Sequence, residues 1–131
     1  MNSFSWLDFL EFAEWIINKC DQDDDAALRS AVSRAYYTAF HSAKSVLNAN
    51  GIEISDRDSS HKQVWDAFLN GKNLDWKAVG RKGDEIRVKR TDADYKLKKL
   101  NWLPEAEKTI EETKKILATL SKIAQQTPIE K

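Results

Sequence analysis

The chain has 131 residues, a formal net charge of +0, 41% hydrophobic and 32% charged residues. That length suits one domain, and the mix excludes both wholesale disorder and a protein drawn to nucleic acid by its bulk charge. Cys20 is the only cysteine, which rules out an intramolecular disulfide. No run approaches the roughly 18 apolar residues of a membrane span. Asp8, Glu11 and Glu14 interrupt the early apolar residues, with no basic region ahead of them, so the N-terminus does not read as a secretory signal. A reducing, cytoplasmic setting is expected.

The periodicity is helical throughout, with 4 Gly and 2 Pro as the main breaks. A first helix is predicted from about Ser5, where Ser5 and Asp8 fit a capping box, with Trp6, Phe9, Ala13, Ile16 and Ile17 on its apolar face. Asp24 or Asp25 caps a second helix over 26–50, which Gly51 stops. Its stripe of Leu28, Val32, Ala35, Ala39, Ala43, Val46 and Leu47 is largely alanine, so neighbours can come close and this helix is expected at the centre. Residues 51–60 read as a loop, with turn chemistry at Asp56, Asp58, Ser59 and Ser60. A short helix carries Val64, Trp65, Phe68 and Leu69, and Asn70 to Asn73 break it. The fourth helix begins near Leu74, with Trp76, Val79, Gly83, Ile86 and Arg90 on one side. Gly80 and Gly83 suggest a close approach, a kink or simply a weak helix. The segment 92–101 reads as a loop or a distorted helix end. A last helix starts at Pro104 with Ala106, Ile110, Leu117, Leu120 and Ile123 inward. Residues 126–131 read as a frayed tail. The expected fold is all-α: residues 1–131 as one antiparallel bundle of four to five helices.

Charge is unevenly spread. Asp21, Asp23, Asp24 and Asp25 cluster, whereas Arg81, Lys82, Arg87, Lys89, Arg90, Lys96, Lys98 and Lys99 make the later segment basic. Two solvated surfaces explain this, as would a local basic face for RNA or an acidic partner. Arg34, Tyr37 and His41 are spaced to share a face of the second helix, while Tyr36 turns about 100° away towards the core. Two histidines without a neighbouring cysteine do not suggest a zinc site, and no cofactor is expected. The five Trp residues are expected in core or interface positions.

The run Ala31-Val32-Ser33-Arg34-Ala35-Tyr36-Tyr37-Thr38-Ala39-Phe40-His41-Ser42-Ala43, then Ser60-His61-Lys62-Gln63-Val64, then Arg90-Thr91-Asp92-Ala93-Asp94-Tyr95 resembles, in order, three elements of small HEPN proteins. The resemblance implies a helical bundle that dimerises. It also implies metal-independent endoribonuclease chemistry in a toxin–antitoxin or defence module, often beside a small nucleotidyltransferase. The family's motif is Arg, four to six residues, then His, with two copies forming one cleft. Here Tyr95 stands near where that His would be, and a phenol with a pKa of about 10 is a poor base at neutral pH.

On the resemblance, Arg90, Asp94 and Tyr95 are the candidate catalytic residues. Arg34, Tyr37, His41, Arg87 and Lys89 are candidates for contacting RNA. Arg90 could hold phosphate with its planar fork of donors, or pair with Asp94 or Asp92 and staple the helix end. Tyr95 could stack, bind phosphate or pack. His41 and His61 could each replace the missing imidazole if the fold brings it near Arg90, or serve structure alone. Three functions follow: an RNA-binding or RNA-cleaving protein, a non-catalytic partner of a nucleotidyltransferase-like protein, or an adaptor bundle with a ligand groove.

Overall fold

The computed structural model describes residues 3–55, 60–97 and 101–126. Its elements are α1 (Leu7–Lys19), α2 (Asp25–Ala49), α3 (Ser60–Leu69), α4 (Leu74–Tyr95) and α5 (Trp102–Gln126). Every element among the described residues is a helix, as the periodicity predicts. The expected turn at Asp56, Asp58 and Ser59, the basic pair Lys98 and Lys99, and the tail beyond 126 lie outside the described residues. Ser60, expected in the loop, is instead the first residue of α3.

Local signals set most helix ends. Ser5 Oγ accepts from the Leu7 amide at 3.2 Å and Asp8 returns a bond to the Ser5 amide at 3.1 Å, so the reciprocal cap forms just ahead of α1. Asp24 accepts from Ala27 N, and Asn73 accepts from Trp76 N. Gly51, at φ +79°, lets Ile52 N turn back to the Leu47 carbonyl and ends α2.

The alanine-rich α2 is central and touches all four other helices. Its C-terminal half packs Tyr36, Phe40, Ala43 and Leu47 against Val64, Trp65 and Phe68 of α3 and the inner faces of α4 and α5. Its N-terminal half packs Leu28, Ala31, Val32 and Ala35 against α1, the start of α5 and Ala93 near the end of α4. The buried face of α1 is Leu10, Ala13 and Ile16. The sequence reading missed Leu10, and Trp6, Phe9 and Ile17 are only partly covered. Trp65, Trp76 and Trp102 are buried as expected, but Trp15 is 55% exposed.

Gly83 marks a close approach rather than a weak helix. A Cβ there would lie 2.1 Å from the Trp65 ring, so α4 and α3 are in contact through glycine. The consequence for the site is that α3 is held tightly enough to carry His61 onto α2. Among the described residues, no helix is long and apolar enough to cross a membrane.

Candidate functional site

The site is built where the end of α4 meets α2. The expectation of a loop or distorted helix end over 92–101 is corrected for its first four residues: α4 runs through Tyr95, and Lys96 and Leu97 follow outside the helix. Two features hold that last turn in place. Ala93 is 2% exposed and packs in the core beside α2. Arg29 of α2 donates to the Ala93 carbonyl at 3.0 Å and to the Lys96 carbonyl, supplying donors that the helix itself lacks at its C-terminus. Asp25 orients Arg29 at 2.6 Å, and the Trp102 ring lies beneath its guanidinium.

A regular helix puts Arg90 and Asp94 one turn apart on the same face. Arg90 Nη1 donates to Asp94 Oδ2 at 3.2 Å, and Ser33 Oγ of α2 donates to Asp94 Oδ1 at 2.8 Å. Asp94 is thus held from one side while it orients Arg90 from the other. The guanidinium lies over two rings of α2, 5.4 Å from the centroid of Tyr36 and 5.5 Å from that of Tyr37. The Arg90 side chain is only 12% exposed, and its Nε is buried without an acceptor. A buried charged donor without a partner is costly, so it is where an anion would gain most.

Tyr36 is fully buried and links Arg90 to α3. Its oxygen accepts from the Trp65 indole N–H at 3.1 Å and lies 2.8 Å from His61 Nδ1. Indole can only donate, so the tyrosine proton is directed at Nδ1, and the hydrogen-bond pattern puts the imidazole proton on Nε2. Burial pushes the Tyr36 phenol well above its usual pKa. His61 stacks on Phe40 at 4.0 Å. Burial, then the charge of Arg90, with His41, Arg87 and Lys44 adding to it, lowers its pKa to about 4. It is therefore a neutral imidazole at pH 7, in the positive field of Arg90, Arg87 and Lys44.

The shared face of α2 divides. Tyr37 meets Arg90, whereas Arg34 and His41 turn to the N-terminal segment. The Arg34 guanidinium lies over the Phe9 ring at 4.8 Å, and His41 stacks on Trp6 at 3.6 Å. The His41 pKa is lowered by burial and by Lys44. A groove of about 350 Å³ opens beside them, lined by Arg29, Ser33, Arg34, Tyr37 and Asp94. Arg90 does not line this groove; it is held against two residues that do.

The remaining candidates stand apart. Arg87 pairs with Asp84 on its own helix at 2.9 Å but contributes to the positive field at His61. Lys89 points to α5 and pairs with Glu105 at 2.8 Å. Tyr95 is 72% exposed at the end of α4. The residues that sequence reasoning did not attach to the site are Ser33, Arg29, Lys44 and the Tyr36–Trp65 pair. Ser33 and Tyr36 gave a signal, since both belong to the same run as Arg34 and Tyr37.

No curated protein and no solved structure matches the chain. A family model described as HEPN domain does match, over residues 9–123. That span holds α2, α3 and α4 whole, and with them Tyr36, His61, Arg90 and Asp94. With nearly the whole bundle matched, the chain belongs to the HEPN family.

Proposed function

We propose that this protein is the HEPN component of a toxin–antitoxin or defence module, which binds RNA and cleaves it without a metal as a dimer. The observation that carries this reading is Arg90: a cation oriented by Asp94, set over two tyrosine rings, with a buried N–H that lacks an acceptor. A phosphodiester supplies such acceptors in a planar-fork geometry that suits arginine.

In the proposed reaction the ribose 2′-OH attacks phosphorus and the P–O5′ bond breaks. The products are a 2′,3′-cyclic phosphate and a free 5′-OH. The 2′ proton passes to solvent, and the leaving O5′ takes one from solvent. Arg90 offsets the charge that grows on the non-bridging oxygens. His61 supports this role from α3 as a neutral donor through Nε2–H, in place of the histidine that α4 lacks. Preorganised donors of this kind contribute on the order of 10²–10³ in rate each. Asp94 positions Arg90. RNA cleavage by the purified full chain, wild type beside Arg90→Ala, tests the reading. The expected loss is about 100-fold or more, and equal cleavage by both overturns it.

A second reading has its own support in Tyr95, whose side chain is largely exposed. As a non-catalytic partner of a nucleotidyltransferase-like protein, the chain would offer that hydroxyl as the acceptor of a transferred nucleotidyl group. The wild type leaving RNA intact, while gaining nucleotide mass that Tyr95→Phe prevents, would establish this alternative.

A further inference from the structure

The aromatic residues at the N-terminus form a cluster that the proposed chemistry does not use. Phe4 is 59% exposed, and its ring meets Trp6 edge-on at 4.9 Å and Phe9 at 5.3 Å. The cluster is not a loose end. Thr38 of α2, fully buried, donates to the Trp6 carbonyl at 2.8 Å, and the Trp6 indole lies nearly parallel to His41. The segment ahead of α1 is therefore fastened to the α2 face that holds Arg90 one turn away.

Arg34 connects the two places. It lies over Phe9, it is exposed, and it lines the same groove as Tyr37 and Asp94. Phe9 thus meets a solvent-facing ring and an exposed guanidinium, and that guanidinium borders the groove whose Tyr37 and Asp94 also contact Arg90. An exposed ring and a cation grouped in this way can hold a single-stranded base by stacking. A protein partner would be drawn to aromatics alone, but the cation on the groove side favours a nucleotide.

We propose that Phe4, with Phe9 and Arg34, forms a stacking subsite for a nucleobase flanking the phosphate held at Arg90. This rests on the RNA reading above and adds to it a grip on a base, not only on the backbone. Stacking does not distinguish hydrogen-bonding edges, so the subsite prefers large bases without reading sequence. Phe4 is exposed and precedes the first helix, so its replacement leaves the core intact.

The test is the affinity of the full chain for two fluorescent octamers with 2′-O-methyl sugars, which prevent cleavage. One carries adenine throughout and the other is abasic on the same backbone. The wild type is expected to bind the adenine octamer roughly tenfold tighter than the abasic one. Phe4→Ala should remove most of that difference without changing abasic affinity, and Phe4→Trp should restore it. Arg90→Ala should weaken both. Equal binding of the two octamers by the wild type, still lost in Arg90→Ala, overturns the subsite and leaves the RNA reading standing. No binding of either overturns both. Phe4→Ala with unchanged RNA affinity but an altered oligomeric state makes the cluster a protein interface, and the inference falls.

Discussion

Tyr36 and Tyr37 are neighbours in the chain and hold the same guanidinium, yet they belong to different halves of the site. Tyr36 faces inward, where it and Trp65 are fully buried and its hydroxyl bonds both the Trp65 indole and His61 Nδ1. Tyr37 faces a groove with Arg34, Ser33 and Asp94, where side chains are partly open. Arg90 spans the two. The inner half sets where the cation and the imidazole sit, and the outer half is where a ligand can arrive. A buried polar network contributes rigidity when it is complete and is costly to break, whereas an open one tolerates exchange of partners.

The contrast is broken most directly at the inner hydroxyl. Tyr36→Phe leaves the Trp65 N–H buried without an acceptor and His61 Nδ1 without a donor. The expected loss is about 1–3 kcal/mol of folding stability. Tyr37→Phe removes a hydroxyl from the open side and should change stability by less than about 0.5 kcal/mol. Urea unfolding with a common slope compares them. Equal losses would mean that the two halves are not physically distinct.

A pH titration probes the imidazole at the other end of the Tyr36 hydrogen bond. The pKa of His61 is about 4 in the folded chain, against about 6.5 for a free imidazole. Between those values the unfolded chain binds more protons than the folded one, so stability rises with pH across that window and is complete above it. Acidifying from pH 7 towards 4 should therefore destabilise the protein, and His61→Gln should flatten that part of the curve. A bound phosphodiester adds negative charge near Arg90 and should raise the His61 pKa, which imidazole proton shifts can follow. An unmoved pKa on saturation with oligonucleotide would separate His61 from the ligand site.

How much of this could be read beforehand depended on sequence distance. Helix ends were legible because their chemistry is local, as at Asp24 and Gly51. Arg90 with Asp94 was legible as a pair because four residues make one turn, although two readings of it remained open. The link of Tyr36, His61 and Trp65 was not legible. It depends on how α3 lies on α2, which follows from glycines on a third helix meeting Trp65. The division of Arg34 and His41 from Tyr37 was likewise hidden, since helical spacing assigns a face but not what covers each part of it. Arg29 drew no notice because its target carbonyls lie more than sixty residues away.

The smallest effect tests whether Asp94 positions Arg90 or merely neutralises it. Ser33 donates to Asp94 Oδ1 while Arg90 donates to Asp94 Oδ2, so Ser33 reaches Arg90 through the carboxylate. The bond lies at a solvent-facing edge, so Ser33→Ala should cost less than about 1 kcal/mol in stability. If Asp94 positions the cation, freeing one carboxylate oxygen lets the Arg90 fork wander, and oligonucleotide affinity falls roughly two- to threefold at unchanged stability. Ser33→Thr, which keeps the hydroxyl, should recover it. If Asp94 instead competes with phosphate for Arg90, the same loosening raises affinity. The sign of that small change separates a carboxylate that aims the cation from one that holds it in reserve, which unfolding measurements alone would not register.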